Sequence, residues 1–219
     1  GNDEDPNAVD NTWMIDPQYQ KSWQDGKWVL TTGLPITTGW SRSNLYEGTR
    51  ATIRLASFVQ GEFNINRLGL IAGVRYEFSR VDTLKESAIP VFRTGLNYQA
   101  GKATFLRASF GQGYRLPSVG ERFVANDLFS GVYLVPRPEL EPERGWSAEV
   151  GVKQGVKISN WKGFIDFNFF LQEYQEFVEY RFGLYSNRAP DGTKYFPDEG
   201  ETVIGFKPFN IEQARISGL

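Results

Sequence analysis

The sequence contains no cysteine and no histidine. Without cysteine the chain holds no disulfide, no thiolate metal site, no iron–sulfur cluster and no cysteine nucleophile. Without histidine it holds no histidine-ligated zinc, no Ser-His-Asp triad and no histidine general base. The acidic residues Asp3, Glu4, Asp5 and Asp10 could bind a cation through their carboxylates, but their spacing matches no EF-hand and favours a solvated stretch. With these absences, the sequence predicts no metal site and no cofactor in this chain.

The sequence also lacks an excess of one charge and any long hydrophobic run. Lys and Arg total 24 and Asp and Glu total 26, for a net charge of −2. A nucleic-acid-binding protein shows a basic excess or a basic stripe, so we expect no nucleic-acid partner. No run approaches the ~20 apolar residues that a membrane-spanning helix needs. The sequence begins at Gly1 and its one methionine is Met14, which leads us to expect a piece of a longer protein.

Apolar and polar residues alternate with a period of two from residue 51 onward, and that period predicts β-strands. The alternation is clear in six runs and a seventh strand starts near Phe206. The apolar positions in these runs span Ile53–Phe63, Leu68–Phe78, Phe92–Tyr98, Leu106–Tyr114, Trp146–Val152 and Ile165–Leu171. The sequence therefore predicts an all-β fold.

The connections between these runs alternate between short and long, which predicts an antiparallel up-and-down meander. The short connections lie at 65–66, 100–102 and 159–162, and the long ones at 80–90, 116–144 and 182–207. Facing residues in an antiparallel pair have a constant sum and share a face of the sheet, so the parity of each short loop is constrained. With these loops we expect Phe63 opposite Leu68, and Leu96 opposite Leu106.

The alternation leaves two architectures open, a soluble sandwich and a membrane barrel. The predicted strands are long, at ~10–14 residues against a usual ~5–6. The polar face is rich in glycine, and aromatic residues gather near the strand ends, as in the two aromatic girdles of an outer-membrane barrel. These features favour the barrel.

Several short motifs resemble those of the TonB-dependent outer-membrane receptors. The end of the fourth run and the loop after it carry the signature positions Gly113, Tyr114, Arg115, Pro117, Ser118 and Glu121. A downstream element that includes Pro142 and Glu143 is similar to another family motif, although Arg137 stands where the family usually has asparagine. The segments 146–151 and 209–218 resemble the strands that follow, and the sequence as a whole is most similar to receptors from the Bacteroidetes.

This resemblance implies part of a 22-stranded transmembrane barrel in the Gram-negative outer membrane. Residues 51–219 would supply about seven strands, and the plug domain and the remaining strands would lie outside this chain. Short turns would face the periplasm and long loops the outside. The implied partners are outer-membrane lipid, an imported ligand, and the TonB complex, which acts through the plug.

Residues 1–50 show no clear alternation and are predicted to be an extracellular, loop-like segment that leads into the first clear strand. Four of the six tryptophans lie here, at Trp13, Trp23, Trp28 and Trp40. They are suited equally to stacking on a sugar or a siderophore and to packing a small core of the loop itself.

We predict two groups of site residues. The candidate ligand-binding residues, all expected on the extracellular side, are Trp40, Arg42, Tyr46, Tyr133, Arg137, Tyr185 and Arg188. Among the motif residues, Arg115, Glu121 and Glu143 are expected to brace a loop through charge-assisted hydrogen bonds rather than to gate a ligand. The charged residues predicted on the barrel interior are expected to pair with each other or with the plug: Arg54, Arg75, Arg93, Arg107, Glu62, Glu77 and Glu149.

The function that follows from the resemblance is active transport of a scarce ligand across the outer membrane. Iron–siderophore complexes, haem, cobalamin and oligosaccharides all remain open as the ligand. The alternative is a soluble, secreted all-β module that binds carbohydrate, and a passive porin is a third possibility. We expect no catalytic residue, because the nearest set of carboxylates, Glu173, Glu176 and Glu179, does not share one strand face.

Overall fold

The structure is a computed structural model that describes residues 8–129 and 131–219. It forms one largely antiparallel sheet of 13 strands with one short helix, α1 (Val119–Phe123). The strands are β1 (Ala8–Ile15), β2 (Gln18–Trp23), β3 (Trp28–Gly33), β4 (Ile36–Ser43), β5 (Tyr46–Ile65), β6 (Leu68–Val81), β7 (Leu84–Gln99), β8 (Thr104–Arg115), β9 (Asn126–Phe129), β10 (Val132–Leu134), β11 (Glu143–Ile158), β12 (Trp161–Ser186) and β13 (Thr202–Gly218). The predicted all-β antiparallel meander is confirmed.

The long strands lie side by side in chain order, from β4 through β5, β6, β7, β8, β11 and β12 to β13. The short strands β9 and β10 lie in the connection after β8, and β10 adds to β13 in the one parallel pairing among the described strands. The strand-to-strand order is what a meander of hairpins requires, since each strand pairs with its predecessor and successor.

The prediction that residues 1–50 form a loop-like segment is wrong where the structure describes it, because β1 to β4 occupy most of residues 8–43 and β5 begins at Tyr46; residues 1–7 lie outside the described residues. β1 and β2 pair with β4 and β3 at one constant register, from Ala8 opposite Ser43 to Trp23 opposite Trp28. Together they act as two further meander strands, each with one interruption. The period of two is present here. Large apolar residues occupy odd positions in β1 and β2, at Val9, Trp13, Ile15, Tyr19 and Trp23. They occupy even positions in β3 and β4, at Trp28, Leu30, Ile36 and Trp40.

Two prolines cause both interruptions and hid this alternation from the sequence analysis. Pro17 and Pro35 lack the N–H that a ladder needs, so each removes one hydrogen bond from the sheet. Their carbonyls stay in use, since Leu34 N donates to Pro17 O at 3.1 Å and Ala56 N donates to Pro35 O at 2.9 Å. The pairing register is therefore the same on both sides of the break.

The predicted loop parity is correct, but the predicted registers are displaced by two residues. Phe63 faces Leu70 rather than Leu68, and Leu96 faces Ala108 rather than Leu106. A shift of two residues leaves every side chain on its own face, so the alternation cannot detect it. The residues of the turn set the register instead. The two-residue turns 66–67 and 159–160 each begin with a residue of positive φ, Asn66 at 49° and Ser159 at 54°.

The predicted long connection at 80–90 is also corrected by the structure. β6 and β7 continue toward each other and join through a two-residue turn at 82–83, where Asp82 has a φ of 51°. The Asp82 carboxylate accepts hydrogen bonds from Ala51 N at 2.8 Å and from the Arg50 guanidinium at 3.1 Å. The paired strands include Pro90, which lies opposite Tyr76.

The sheet has one apolar face and one polar face. On β6 the apolar face carries Leu68, Leu70, Ala72, Val74, Tyr76 and Phe78, and the pairing places the apolar rows of β5, β7, β8, β11 and the first half of β12 on the same side. The ten-residue step from Leu68 to Phe78 spans ~33 Å along the strand. At a tilt of ~40° that corresponds to a band ~25 Å tall, the height of the apolar band of an outer-membrane barrel. Among the described residues no helix has both the length and the hydropathy to cross a bilayer.

We expect a charge in this band to be costly and a charge on the polar face to be tolerated. Val150 is 55% exposed on the apolar face, between Ala108 and Phe169. Val150→Arg in the full-length protein should lower the free energy of unfolding from bilayers by about 2–4 kcal/mol. Ser109→Arg is the matched control, since Ser109 lies on the polar face beside Gly95 and Glu149. Equal losses in the two variants, measured by denaturant titration, would contradict the assignment of the faces.

Candidate functional site

Three of the signature residues, Arg115, Glu121 and Glu143, meet where β8 ends and β11 begins, at the base of the connection between these strands. Arg115 and Glu143 face each other in register. The Arg115 guanidinium donates to both carboxylate oxygens of Glu143, at 2.8 and 2.6 Å, and to both of Glu121, at 2.9 and 3.0 Å. One arginine therefore clamps two carboxylates, each in the bidentate geometry that a guanidinium favours.

Glu121 belongs at the same time to the start of helix α1. Ser118 caps the helix, because its hydroxyl accepts from Glu121 N at 3.1 Å while the Glu121 carboxylate accepts from Ser118 N at 2.7 Å. This reciprocal capping box satisfies two backbone donors that a helix start leaves open. Pro117, which precedes the cap, is buried. The Pro-Ser-x-x-Glu spacing of the motif is thus a helix start fixed to the end of β8.

Glu143 extends the clamp to a third strand. Its carboxylate also accepts a hydrogen bond from Val178 N of β12 at 2.8 Å, and the residue is only 6% exposed. The Arg115 hydrogen bonds hold the pKa of the Glu143 carboxyl below its ordinary value. Burial by itself raises the pKa of the Glu121 carboxyl, but hydrogen bonds from Arg115 and Ser118 outweigh it and keep that pKa low. Both carboxylates are therefore ionised in the folded state, as the expected bracing role requires.

Further hydrogen bonds fix the connection between β8 and β11 to the strands beside it. Arg122 is buried and donates to Leu140 O at 2.8 Å. The side-chain amide of Asn210 accepts from Glu141 N at 3.0 Å and donates to the carbonyls of Glu141 and Glu176 at 2.9 and 2.8 Å. The motif around Pro142 is thereby tied to both β12 and β13.

The connection after β12 packs against the same region and forms a small core. Tyr133, Val135 and Val203 are its buried centre, with Tyr185, Tyr195 and Phe196 packed around it. β10 approaches β13 so closely that a Cβ on Gly205 would lie 1.9 Å from Tyr133 O, so glycine is needed there. The two long connections are therefore folded onto each other rather than extended into solvent.

Four of the predicted ligand-binding residues are engaged in this packing. Tyr133 donates to Glu199 at 2.6 Å, and Tyr185 donates to Arg181 O at 2.7 Å. Arg188 makes a bidentate pair with Glu201 at 2.6 and 2.9 Å, and Arg137 lies 4.6 Å over the ring of Phe209. In this structure these side chains hold the two connections in shape. Their role in binding stays a prediction.

The other three predicted residues lie near the tip of the β4–β5 hairpin. Arg42 and Tyr46 border a cleft of about 1280 Å³ between this hairpin and the two long connections. Trp40 is 41% exposed and lies on the apolar face, on the same side of β4 as Thr38. The structure therefore brings Arg42 and Tyr46 to a common cleft and separates Trp40 from it.

The cleft also includes residues that the sequence analysis missed. Arg50 and Phe123 stack at its wall, with the guanidinium 4.3 Å from the ring centre, and Lys194 and Tyr195 border it from the connection after β12. Ala125 N donates to Leu45 O at 3.0 Å, and both residues border the cleft. These residues come from three separate segments. The alternation within single strands cannot predict that these segments meet.

On the polar face two of the four arginines form ion pairs, but only Arg75 does so with a member of the predicted set. Arg75 donates to Glu77 at 2.6 Å, and Arg107 donates at 2.6 Å to Asp166, which was not in the predicted set. Within the described part of the chain, Arg54 and Arg93 form no ion pair. The interior charges are thus partly matched within the sheet.

The four N-terminal tryptophans do not form a loop core. Trp13, Trp23, Trp28 and Trp40 lie on the apolar face with 39–69% of their surface exposed. Trp28 packs against Phe63 with ring centres 4.3 Å apart, at the same edge of the sheet as the turn 66–67. This placement is that of an aromatic girdle residue.

The sequence model described as "TonB dependent receptor-like, beta-barrel" matches residues 4–219. No curated protein matches the sequence. Solved structures that resemble the fold include the haemophore receptor HasR of Serratia marcescens, with a TM-score of 0.70 and 14% identity over 96% of this chain and 39% of HasR. They also include the siderophore receptor PirA of Pseudomonas aeruginosa, with a TM-score of 0.76 and 12% identity over 97% and 39%. The ferric enterobactin receptor PfeA of the same organism has a TM-score of 0.72 and 13% identity over 96% and 33%. The chain thus spans about a third to two fifths of the length of these structures.

The clamp predicts a specific effect of neutralising Glu143. Glu143→Gln keeps the size of the side chain but removes the charge that holds Arg115, and we expect the connection 116–142 to lose about 1–3 kcal/mol of stability against opening. Hydrogen exchange of the full-length protein measures this opening. Glu139→Gln is the control, because the Glu139 side chain is 59% exposed and its pair with Arg137 is loose, at 3.4 Å. An equal effect of both substitutions would show that the clamp does not hold the connection.

The lowered pKa values of Glu121 and Glu143 predict an acid-sensitive connection. A carboxyl with a depressed pKa stabilises the folded state fully at pH values above the unfolded pKa of ~4.3, and this contribution disappears as the pH falls through the lower folded pKa. Limited proteolysis of the connection should therefore be slow at neutral pH and accelerate below about pH 4. In Glu143→Gln the cleavage should be faster at neutral pH and depend less on pH. A wild-type rate that is constant down to pH 3 would exclude this linkage.

Proposed function

The chain belongs to the TonB-dependent receptor-like β-barrel family, and we propose that it is part of an active transporter that imports a scarce ligand across the outer membrane. The family resides in the Gram-negative outer membrane. Its members interact with TonB and import ligands such as haem or siderophores. In the proposed protein, this chain supplies nine strands' width of barrel wall and the connections that bear the cleft.

The observation that carries the proposal is a sheet with one apolar face, one polar face and a braced cleft at one end. The apolar face leaves Val150, Phe167 and Phe169 exposed by 44–69%. No second sheet covers it within the described residues, and a soluble sandwich requires one. A lipid environment removes this apolar area from water, so the soluble carbohydrate-binding alternative is not supported.

We assign ligand capture to the cleft between the β4–β5 hairpin and the two long connections. Its border combines cations, Arg42 and Lys194, with aromatic rings, Tyr46, Phe123 and Tyr195. Cations and aromatic rings together suit an anionic, partly aromatic iron chelate such as a ferric siderophore or haem better than a neutral oligosaccharide. Similar solved structures include a haemophore receptor in complex with its haemophore and haem and an enterobactin receptor in complex with enterobactin, which supports this choice.

In this account the chain performs no bond chemistry. Its polar face lines the passage, and the plug domain and the contact with TonB belong to the rest of the protein. A passive porin has no such coupling, so dependence on TonB separates the two transport functions. The 22-strand barrel and the similarity to receptors from the Bacteroidetes remain predictions of the sequence.

The test is uptake by cells that carry or lack the gene for the full-length protein, grown with a ferric siderophore or haem as the one iron source. We expect uptake to require both this gene and the TonB complex, and the protein to fractionate with the outer membrane. Uptake that persists without TonB would indicate a porin. Recovery of the protein in the soluble fraction would contradict the transporter. If iron chelates fail but cobalamin or an oligosaccharide is taken up with TonB, the transporter stands and the assigned ligand class is wrong.

A further inference from the structure

We propose that Asp82 sets the charge selectivity of the ligand cleft, although Asp82 does not border the cleft itself. Asp82 lies in the β6–β7 turn and neutralises Arg50, whose side chain stands at the cleft wall. With Asp82 in place, the cleft favours ligands of low negative charge over strongly anionic ones. This inference rests on the proposed assignment of ligand capture to the cleft, and it names the property by which the cleft discriminates among anionic chelates.

The hydrogen bonds of Asp82 hold its carboxylate in one position. One carboxylate oxygen accepts from Ala51 N at 2.8 Å and the other from the Arg50 guanidinium at 3.1 Å, while Asp82 N donates to Ala51 O at 2.9 Å. The side chains of Arg50 and Asp82 are 27% and 26% exposed, so salt screens this ion pair less than it screens a fully exposed pair. Asp82 is therefore a fixed counter-ion for Arg50.

An aromatic ring fixes the Arg50 guanidinium from a second direction. The guanidinium lies 4.3 Å from the ring centre of Phe123, which is a cation–π distance. Phe123 is the last residue of α1, and Glu121 ties the start of that helix to the clamp through Arg115. The guanidinium is thus held between a carboxylate and a ring, and its charge reaches the cleft already compensated.

The charges that border the cleft are compensated unequally. Among the described residues Arg42 forms no ion pair, and Lys194 has one long contact to a carboxylate, at 3.8 Å. An acidic residue, Asp191, also borders the cleft. Arg42 and Lys194 therefore attract an anion and Asp191 opposes them, while Arg50 is balanced by Asp82. A ligand of low negative charge matches this border better than a trianionic ligand does.

Removal of the Asp82 charge should change selectivity rather than simply weaken binding. Asp82→Asn keeps an acceptor oxygen for Ala51 N, and asparagine tolerates the positive φ of this turn as aspartate does. The variant leaves the Arg50 guanidinium uncompensated at the cleft wall. A unit charge about 8 Å from a ligand anion alters its affinity about threefold to thirtyfold, depending on the effective dielectric constant. The effect grows with the number of charges on the ligand.

The experiment measures dissociation constants of two probes for the full-length protein in detergent, by titration of tryptophan fluorescence. The probes are haemin, which has a low net charge, and ferric enterobactin, which is trianionic. We expect Asp82→Asn to bind ferric enterobactin at least about threefold more tightly and to bind haemin with a smaller gain. Arg50→Gln leaves the Asp82 carboxylate unbalanced, so it should bind ferric enterobactin at least about threefold more weakly. The double variant Asp82→Asn/Arg50→Gln is neutral at this wall and should return to the wild-type ratio of the two constants.

Glu173→Gln is the matched control for the change in charge. It also leaves one arginine without its carboxylate, because Arg215 faces Glu173 across β12 and β13 and pairs with it. Neither residue borders the cleft, so we expect the ratio of the two constants to stay at the wild-type value. The gain in Asp82→Asn should shrink as salt is added, since salt screens the uncompensated charge.

A purely structural role of Asp82 predicts a different pattern. Both single variants would then bind both probes more weakly, and the double variant would not recover. That pattern, an unaltered ratio in Asp82→Asn, or an equal shift in Glu173→Gln would overturn this inference and leave the proposed ligand class intact. Binding of neither probe by wild type would contradict the ligand class and this inference with it. Heat-modifiable migration on a gel checks that each variant is a folded barrel.

Discussion

The hydrogen-bond ladder between neighbouring strands is the constraint on which the rest of this structure depends. A sheet in a bilayer meets no water at its centre, so each backbone N–H and C=O has to find its partner within the sheet. The two prolines illustrate how narrow the tolerance is. Pro17 and Pro35 each leave one carbonyl of a neighbouring strand without its ladder donor, yet both keep their own carbonyls bonded and leave the register unchanged. A ladder that survives two prolines at one level keeps the alternation of faces intact along the full strands.

The clamp of Arg115, Glu121 and Glu143 carries this order from the wall into the connections. Beyond the apolar band, β8 ends, and the chain enters the long connection to β11, which has few hydrogen bonds of the sheet ladder. The guanidinium joins the end of β8 to β11 and to the capping box of α1, and Glu143 reaches β12 through Val178 N. The same connection then contacts Leu45 beside the cleft. The site is thereby built on rigid elements, as precise binding requires.

Most of the fold follows from the period of two, and most of the site does not. The alternation fixes which residues share a face, and so it predicts the meander and the parity of each hairpin. It cannot fix the register to better than two residues, because Phe63 reaches the apolar face opposite either Leu68 or Leu70. It also failed where Pro17 and Pro35 interrupt the first strands, and at 80–90, where the structure has a hairpin. The clamp residues were singled out because they stand in two family motifs, Arg115 and Glu121 in the first and Glu143 in the second. The cleft, by contrast, joins Arg50, Phe123 and Lys194 from three segments whose meeting depends on the folded connections.

The central claim is that the even-numbered face of β6 contacts lipid while the odd-numbered face does not. This section of the protein contains no cysteine, so single cysteines from Leu68 to Phe78 can be spin-labelled in the full-length protein after reconstitution into bilayers. The account predicts that oxygen accessibility follows a period of two, with maxima at Leu70, Val74 and Phe78, while a water-soluble relaxation agent shows no access at those positions. Accessibility without that period, or water access at the three positions, would contradict the assignment of this sheet to a membrane barrel.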